Sequence, residues 1–199
     1  MRKKDIGKIS EDFIRNIDEI TAFVKQFVQQ PKGVIPSEKD QSWLHEAAII
    51  RIYVEFEKFI LACLVALINR DSPTFSKHKG IKFPKHISQK VCEYLICGDG
   101  YFDFKGRDGL INKIKKIVPN GHWFLKIIMD KNHKEAIERL SALRNFAAHD
   151  SGVSKKQALQ ATKQKRISSS DAWLKKQNRL DDICEKLKAM ADEIKKAAP

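Results

Sequence analysis

An all-α bundle is the fold this sequence predicts, and three observations carry it. Apolar residues recur at three- and four-residue spacing almost throughout, no stretch alternates as a half-buried strand would, and no internal repeat is present. The chain has 199 residues, of which 42% are hydrophobic, enough to fill a core and too many for a wholly disordered chain. We expect one domain over 1–199, with an N-terminal helix and loop at 1–35 and a core over 40–199 that includes a C-terminal helix. Long antiparallel helices are the expected architecture.

Phe13, Ile14, Ile17, Ile20, Val24, Phe27 and Val28 fall on one stripe of a first helix, with Ser10 as its N-cap and Pro31 as its end. Residues 31–40, with Pro31, Gly33 and Pro36, read as a loop. From about Gln41 to Asn69 the pattern is apolar on most sides, from Ala47 through Phe56 and Phe59 to Ile68. Such a helix belongs in the centre of a bundle or between subunits, so its charged residues Glu46, Arg51, Glu55, Glu57 and Lys58 stand out. Asp71-Ser72-Pro73 closes it, and residues 72–86 read as a basic loop. Short helices are expected at about 87–97 and 108–118, separated by Gly98-Asp99-Gly100 and stopped by Pro119-Asn120-Gly121. The apolar stretch 122–129 reads as helix. A further helix runs from about Lys134 to His149 and ends at Asp150-Ser151-Gly152, followed by a polar helix over 155–166 and a break at Ser168-Ser169-Ser170. A last helix is expected over 171–197, where Trp173, Leu180, Leu187 and Ile194 repeat every seven residues with Ile183 and Met190 between them. We assign this seam to packing inside the bundle rather than to a coiled coil between chains.

Charge and composition narrow the function classes. There are 38 Lys+Arg against 25 Asp+Glu, a net charge of +13, and it is unevenly placed. Residues 1–76 are neutral, 77–134 carry +8, 135–152 carry −1 and 153–199 carry +6. Two basic regions thus flank a near-neutral stretch, an arrangement suited to a polyanionic partner because clustered Lys and Arg release counterions from phosphates. No apolar run reaches the roughly 18 uncharged residues of a membrane span, and the N-terminus lacks the apolar stretch of about 7–15 residues of a secretory signal. Cys63, Cys92, Cys97 and Cys184 sit inside helical patterns, as reduced thiols do. A cytoplasmic protein without a membrane partner is therefore expected.

The segment Leu143-Arg144-Asn145-Phe146-Ala147-Ala148-His149-Asp150 concentrates the chemistry. At about 100° per residue from Leu143, Ala136, Leu140 and Ala147 face the core, while Arg144, Asn145 and His149 share the opposite half, with Asn145 and His149 stacked at i, i+4. Ser141 and Ala148 lie between them. Small residues there admit a close neighbour, which we expect to be a second copy that brings two Arg and two His into one cleft. An imidazole titrates near neutral pH and serves as general acid or base, and a guanidinium matches phosphate oxygens. The pair suits RNA cleavage by 2′-hydroxyl attack, which needs proton transfer and charge stabilisation but no metal. The same spacing also describes an ordinary helix end, in which Arg144 pairs with Glu138 or another acid and His149 caps carbonyls.

Arg144-Asn145-Phe146-Ala147-Ala148-His149 resembles the R-x4–6-H motif of the HEPN superfamily of small all-α domains. Tyr53-Val54-Glu55-Phe56-Glu57-Lys58-Phe59-Ile60 resembles the acidic-centred early helix of its RiboL-PSP-like group, and the likeness spans roughly residues 40–195. The resemblance implies a dimeric, metal-independent endoribonuclease of a defence, abortive-infection or toxin–antitoxin system, needing no cofactor and held in check by a cognate antitoxin protein. It gives phosphate binding to Arg144, acid–base work to His149, a supporting polar role to Asn145 and the early-helix acid to Glu57, with Glu55 second. Asp150 departs from the group, whose members often have Gly there; an acid at that place would bias the charge state of His149 or repel an anionic substrate. The alternative is a non-catalytic module of the same kind that binds nucleic acid or a partner protein.

Lys155, Lys156, Lys163, Lys165 and Arg166 are candidate RNA-backbone contacts. Cys92 and Cys97 are too far apart for the usual zinc spacing, and His78, His86, His122 and His133 are scattered, so no metal site is expected. There is no Gly-rich phosphate loop, H-E-x-x-H or G-x-S-x-G, which leaves nucleotide hydrolase and esterase readings without support.

Overall fold

Among the described residues, four long helices pack in a closed ring and six short ones decorate it. The computed structural model describes residues 5–28 and 37–199, and every regular element among them is an α-helix. The ring is formed by α1 (Ile6–Val28), α2 (Glu38–Arg70), α7 (Lys131–His149) and α10 (Arg179–Ala197): α1 packs on α2 and α10, and α7 does the same from the other side. The short helices are α3 (Ser72–Lys79), α4 (Gln89–Cys97), α5 (Gly106–Lys115), α6 (Trp123–Met129), α8 (Gly152–Thr162) and α9 (Ser170–Leu174). Among the described residues no helix is long and apolar enough to cross a membrane.

The 33-residue α2 is the spine, as its apolar sequence requires. A capping box starts it: Asp40 N–H donates to Ser37 Oγ (3.1 Å) while Ser37 N–H donates to the Asp40 carboxylate (3.1 Å). Ile49, Ile52, Phe56, Ile60 and Leu64 are fully buried on it, joined by Phe13 and Ile17 of α1, Leu140 and Leu143 of α7, and Leu187 and Ile194 of α10. Phe13 stacks on Phe59 with ring centroids 4.5 Å apart.

Three expected boundaries move. Ser10 does not cap α1 but is buried one turn inside it; the Asp5 carboxylate takes that place by accepting from Lys8 N–H (3.2 Å). Residues 72–79 are helix rather than loop, because Asp71 both ends α2 and caps α3, accepting from Thr74 N–H (3.1 Å), and Pro73 fits the first turn. The expected C-terminal helix is two, since Gln177 and Asn178 adopt positive φ and break it between α9 and α10. The heptad seam is thereby split: Trp173 lies on α9, and the rest of the seam is buried on α10 against α1 and α7. The loop predicted at 31–40 falls largely on 29–36, outside the described residues.

Candidate active site

The site is built where α7 leaves the core. His149 ends α7, Asp150 takes a left-handed conformation (φ 36°) with its N–H on the Phe146 carbonyl (3.0 Å), and Ser151 opens α8. The turn is so short that α8 runs back antiparallel along α7, tied at the far end by Lys163 to Glu135 (3.2 Å). The close neighbour along the small-residue face of α7, where Ser141 and Ala142 are buried, is therefore α8 of the same chain; Ala148 remains exposed. Asp150 occupies the left-handed position at which glycine carries no steric penalty, the residue the HEPN resemblance leads one to look for there.

Between these helices, α2 and the segment 103–108 lies an open cleft of about 880 Å³. Arg144, Asn145, His149 and Glu57 all line it. Glu55 does not: it is buried on another face of α2, held by Asn16 (2.9 Å), Arg51 (2.9 Å) and Lys58 (3.1 Å). Burial alone would push the Glu55 carboxyl up, but hydrogen bonds from Lys58 and Asn16 and the charges of Lys58 and Arg51 outweigh it and hold it below the usual value. Glu55 is a structural acid, whereas Glu57 lines the cleft.

Arg144 is held but not neutralised. Its guanidinium lies over the Tyr53 ring, 4.6 Å from the centroid, and donates from Nη1 to Asn145 Oδ1 (2.9 Å). Its Nε is buried without a hydrogen-bond partner. Among the described residues no carboxylate approaches within ion-pair distance, in contrast to Arg139 one turn earlier, which bonds Glu135 at 2.7 Å. The alternative pairing of Arg144 with Glu138 does not form. His149 is exposed and makes no hydrogen bond to the described residues, so it does not cap carbonyls either.

Glu57 stands in a mixed field. Burial pushes its carboxyl above the usual range, and the Arg144 charge offsets this only in part. Tyr53 thus ties the site together, although the sequence marks it only as one more apolar position four residues before Glu57. Its ring supports Arg144, and its hydroxyl donates to the Phe104 carbonyl (3.0 Å), fixing the 103–108 segment as a wall. Asp103, Lys105, Arg107, Asp108, Gln157 and Gln160 also line the cleft without any sequence signal for it. Arg107 is committed elsewhere, donating to the Met129 carbonyl at the end of α6 (2.6 Å).

The candidate RNA contacts Lys155, Lys156, Lys163, Lys165 and Arg166 are exposed, but none is on the cleft wall; α8 turns Val153, Gln157, Gln160 and Ala161 toward it. The walls are not basic. Glu57, Asp103, Asp108 and Glu138 face Lys105, Arg107 and Arg144. The remaining histidines have structural partners or lie apart: His45 donates to the Gln41 carbonyl (2.7 Å), His78 donates to the Lys115 carbonyl (2.9 Å), His122 caps α6 by accepting from Phe124 N–H (3.2 Å), His133 bonds Glu193 (3.0 Å), and His86 is exposed. The four cysteines are free thiols, and burial pushes Cys184 up to about 12.

Compared with family models, with curated proteins and with solved structures, the chain finds no match.

Proposed function

We propose that the chain is a metal-independent endoribonuclease of HEPN type, an effector of a defence or toxin–antitoxin module that cuts RNA by attack of a 2′-hydroxyl on the adjacent phosphate. The observation that carries this reading is Arg144, a guanidinium fixed by Tyr53 and Asn145, open to the cleft and lacking a carboxylate partner, with His149 on the same wall. A held, uncompensated fork is suited to an anion that protein carboxylates do not supply. In this scheme Arg144 binds the scissile phosphate and stabilises the charge that builds on it. His149, unencumbered by other bonds, moves the proton, and Asn145 keeps the guanidinium aimed. Glu57, whose carboxyl burial pushes above the usual range, lines the same cleft without forming an ion pair with Arg144.

A homodimer completes the scheme. The cleft is open, and Ala148 and Val153 are exposed beside it, leaving an uncovered margin for a second copy or for an antitoxin. Incubation with structured RNA and with DNA of the same sequence, both in EDTA, tests the reaction. RNA is cut to products ending in 2′,3′-cyclic phosphate and DNA is left whole; cleavage of both, or of neither, contradicts it. The four carboxylates of the wall favour one second reading, a non-catalytic module for a partner protein. That reading predicts a stable complex and no change in RNA length.

A further inference from the structure

The cleft accounts for little of the +13 charge, which raises the question of where the uncompensated cations are. In the C-terminal region Lys163, Lys175, Lys186, Lys188 and Lys195 each lie within ion-pair distance of a carboxylate, whereas Lys155, Lys156, Lys165 and Arg166 are exposed and form no ion pair among the described residues. In the +8 region, among the described residues, ion pairs engage Lys113 and Lys134. Lys77, Lys79, Lys115 and Lys116 are exposed, and none has a carboxylate partner among the described residues.

These four meet in space although they are distant in sequence. His78 donates to the carbonyl of Lys115 (2.9 Å), and Phe75 shares an apolar seam with Ile117 and Val118, so the C-terminal ends of α3 and α5 abut. A helix dipole explains a cation at each end. It does not explain four exposed lysines at the ends of two abutting helices, none of them ion-paired among the described residues although Asp71 lines the same seam, an arrangement that favours a polyanion.

The junction has a defined relation to the cleft. α5 begins in the cleft wall at Lys105–Asp108 and ends at Lys115, and its ten residues span about 15 Å at the helical rise. Asp108, Asn112 and Lys115 are exposed at spacings of four and three, which makes one open face along its length. A stacked strand advances about 3.4 Å per phosphate, so the helix is roughly four phosphates long.

We propose that α5 is a spacer between two parts of one RNA site: the reactive phosphodiester lies against Arg144 and His149, and the backbone of the same strand runs along α5 onto Lys77, Lys79, Lys115 and Lys116. The inference rests on the reading of the cleft as the place where RNA is cut.

The test is anisotropy of a labelled single-stranded RNA against salt, in a His149→Ala background so that the probe stays intact. Lys77→Gln/Lys79→Gln/Lys115→Gln/Lys116→Gln lowers the slope of log K against log salt by about 3 and weakens binding on the order of a hundredfold near 0.1 M salt, at about 0.7 per single-strand phosphate. The equal charge change Lys155→Gln/Lys156→Gln/Lys165→Gln/Arg166→Gln leaves most of that slope in place. Equal losses in the two quadruple variants, or an unchanged slope in the first, overturn the spacer. So does binding of anionic lipid vesicles without salt-dependent binding of RNA. Failure of the catalytic reading is separate and visible: His149-intact protein then binds the RNA through the four lysines without shortening it.

Discussion

At the residue scale, Tyr53 and Glu57 separate what a motif can say from what only a fold can. Burial favours the neutral Glu57 carboxyl in the folded chain, so the native state holds that proton more tightly than the unfolded one. Stability from this group is therefore present below the ordinary carboxylate value and declines as pH rises through it. Glu57→Gln removes the penalty: thermal melts give the variant the higher Tm at neutral pH, and the difference closes below about pH 4.3. A variant less stable than the parent at neutral pH contradicts this. Arg144, Asn145 and His149 are legible in the sequence because helical periodicity places them and their chemistry marks them, whereas Glu57 is set apart from Glu55 only by the family resemblance. Tyr53 is not, because an aromatic in an apolar helix reads as core until its neighbour across the bundle is known. Lys105 and Asp103 are equally silent, since they come from a segment with no periodicity to orient them.

Each element that the sequence misplaces does so for a nameable reason. Heptad spacing carries across Gln177 and Asn178, so pattern alone joins α9 to α10; the break is made by backbone conformation, which apolar periodicity does not register. α3 is hidden because Pro73 signals an end as readily as a first turn. The small α9 has its own anchor. Asp171 is buried, and burial would push its carboxyl up, but hydrogen bonds from Ser169, Ser42 and Lys175 prevail, the last an ion pair at 3.0 Å, and hold it at about 2. Its contribution is present above the unfolded value of 3.8 and is lost as pH falls toward about 2. Asp171→Asn accordingly costs on the order of 1–2 kcal/mol at neutral pH, and denaturant titrations show the gap shrinking between about pH 4 and pH 2. A gap that is constant with pH contradicts the assignment. Lys175 also donates to Ser42 (3.0 Å), so this anchor docks α9 on the start of α2.

For the whole molecule, the all-α class and the central place of α2 follow from periodicity, whereas the distribution of free charge does not. Sequence counts give two basic regions; in the fold, carboxylates engage Lys163, Lys175, Lys186, Lys188 and Lys195 of the second but, among the described residues, Lys113 and Lys134 alone of the first. The proposed dimer is tested at this scale too. Light scattering at micromolar concentration gives about twice 22.9 kDa, and Ala148→Leu, a bulky change at an exposed position beside the cleft, lowers it toward one chain. A monomeric parent removes the composite cleft from the mechanism. The most direct test of the central claim, that the Arg144–His149 cleft cuts RNA, is single-turnover cleavage in EDTA by the parent and by His149→Ala at matched folded concentration. The account predicts RNA cut by the parent and a loss of at least about a hundredfold in the variant, the scale of a general acid–base residue. Equal cleavage by the two proteins would contradict it.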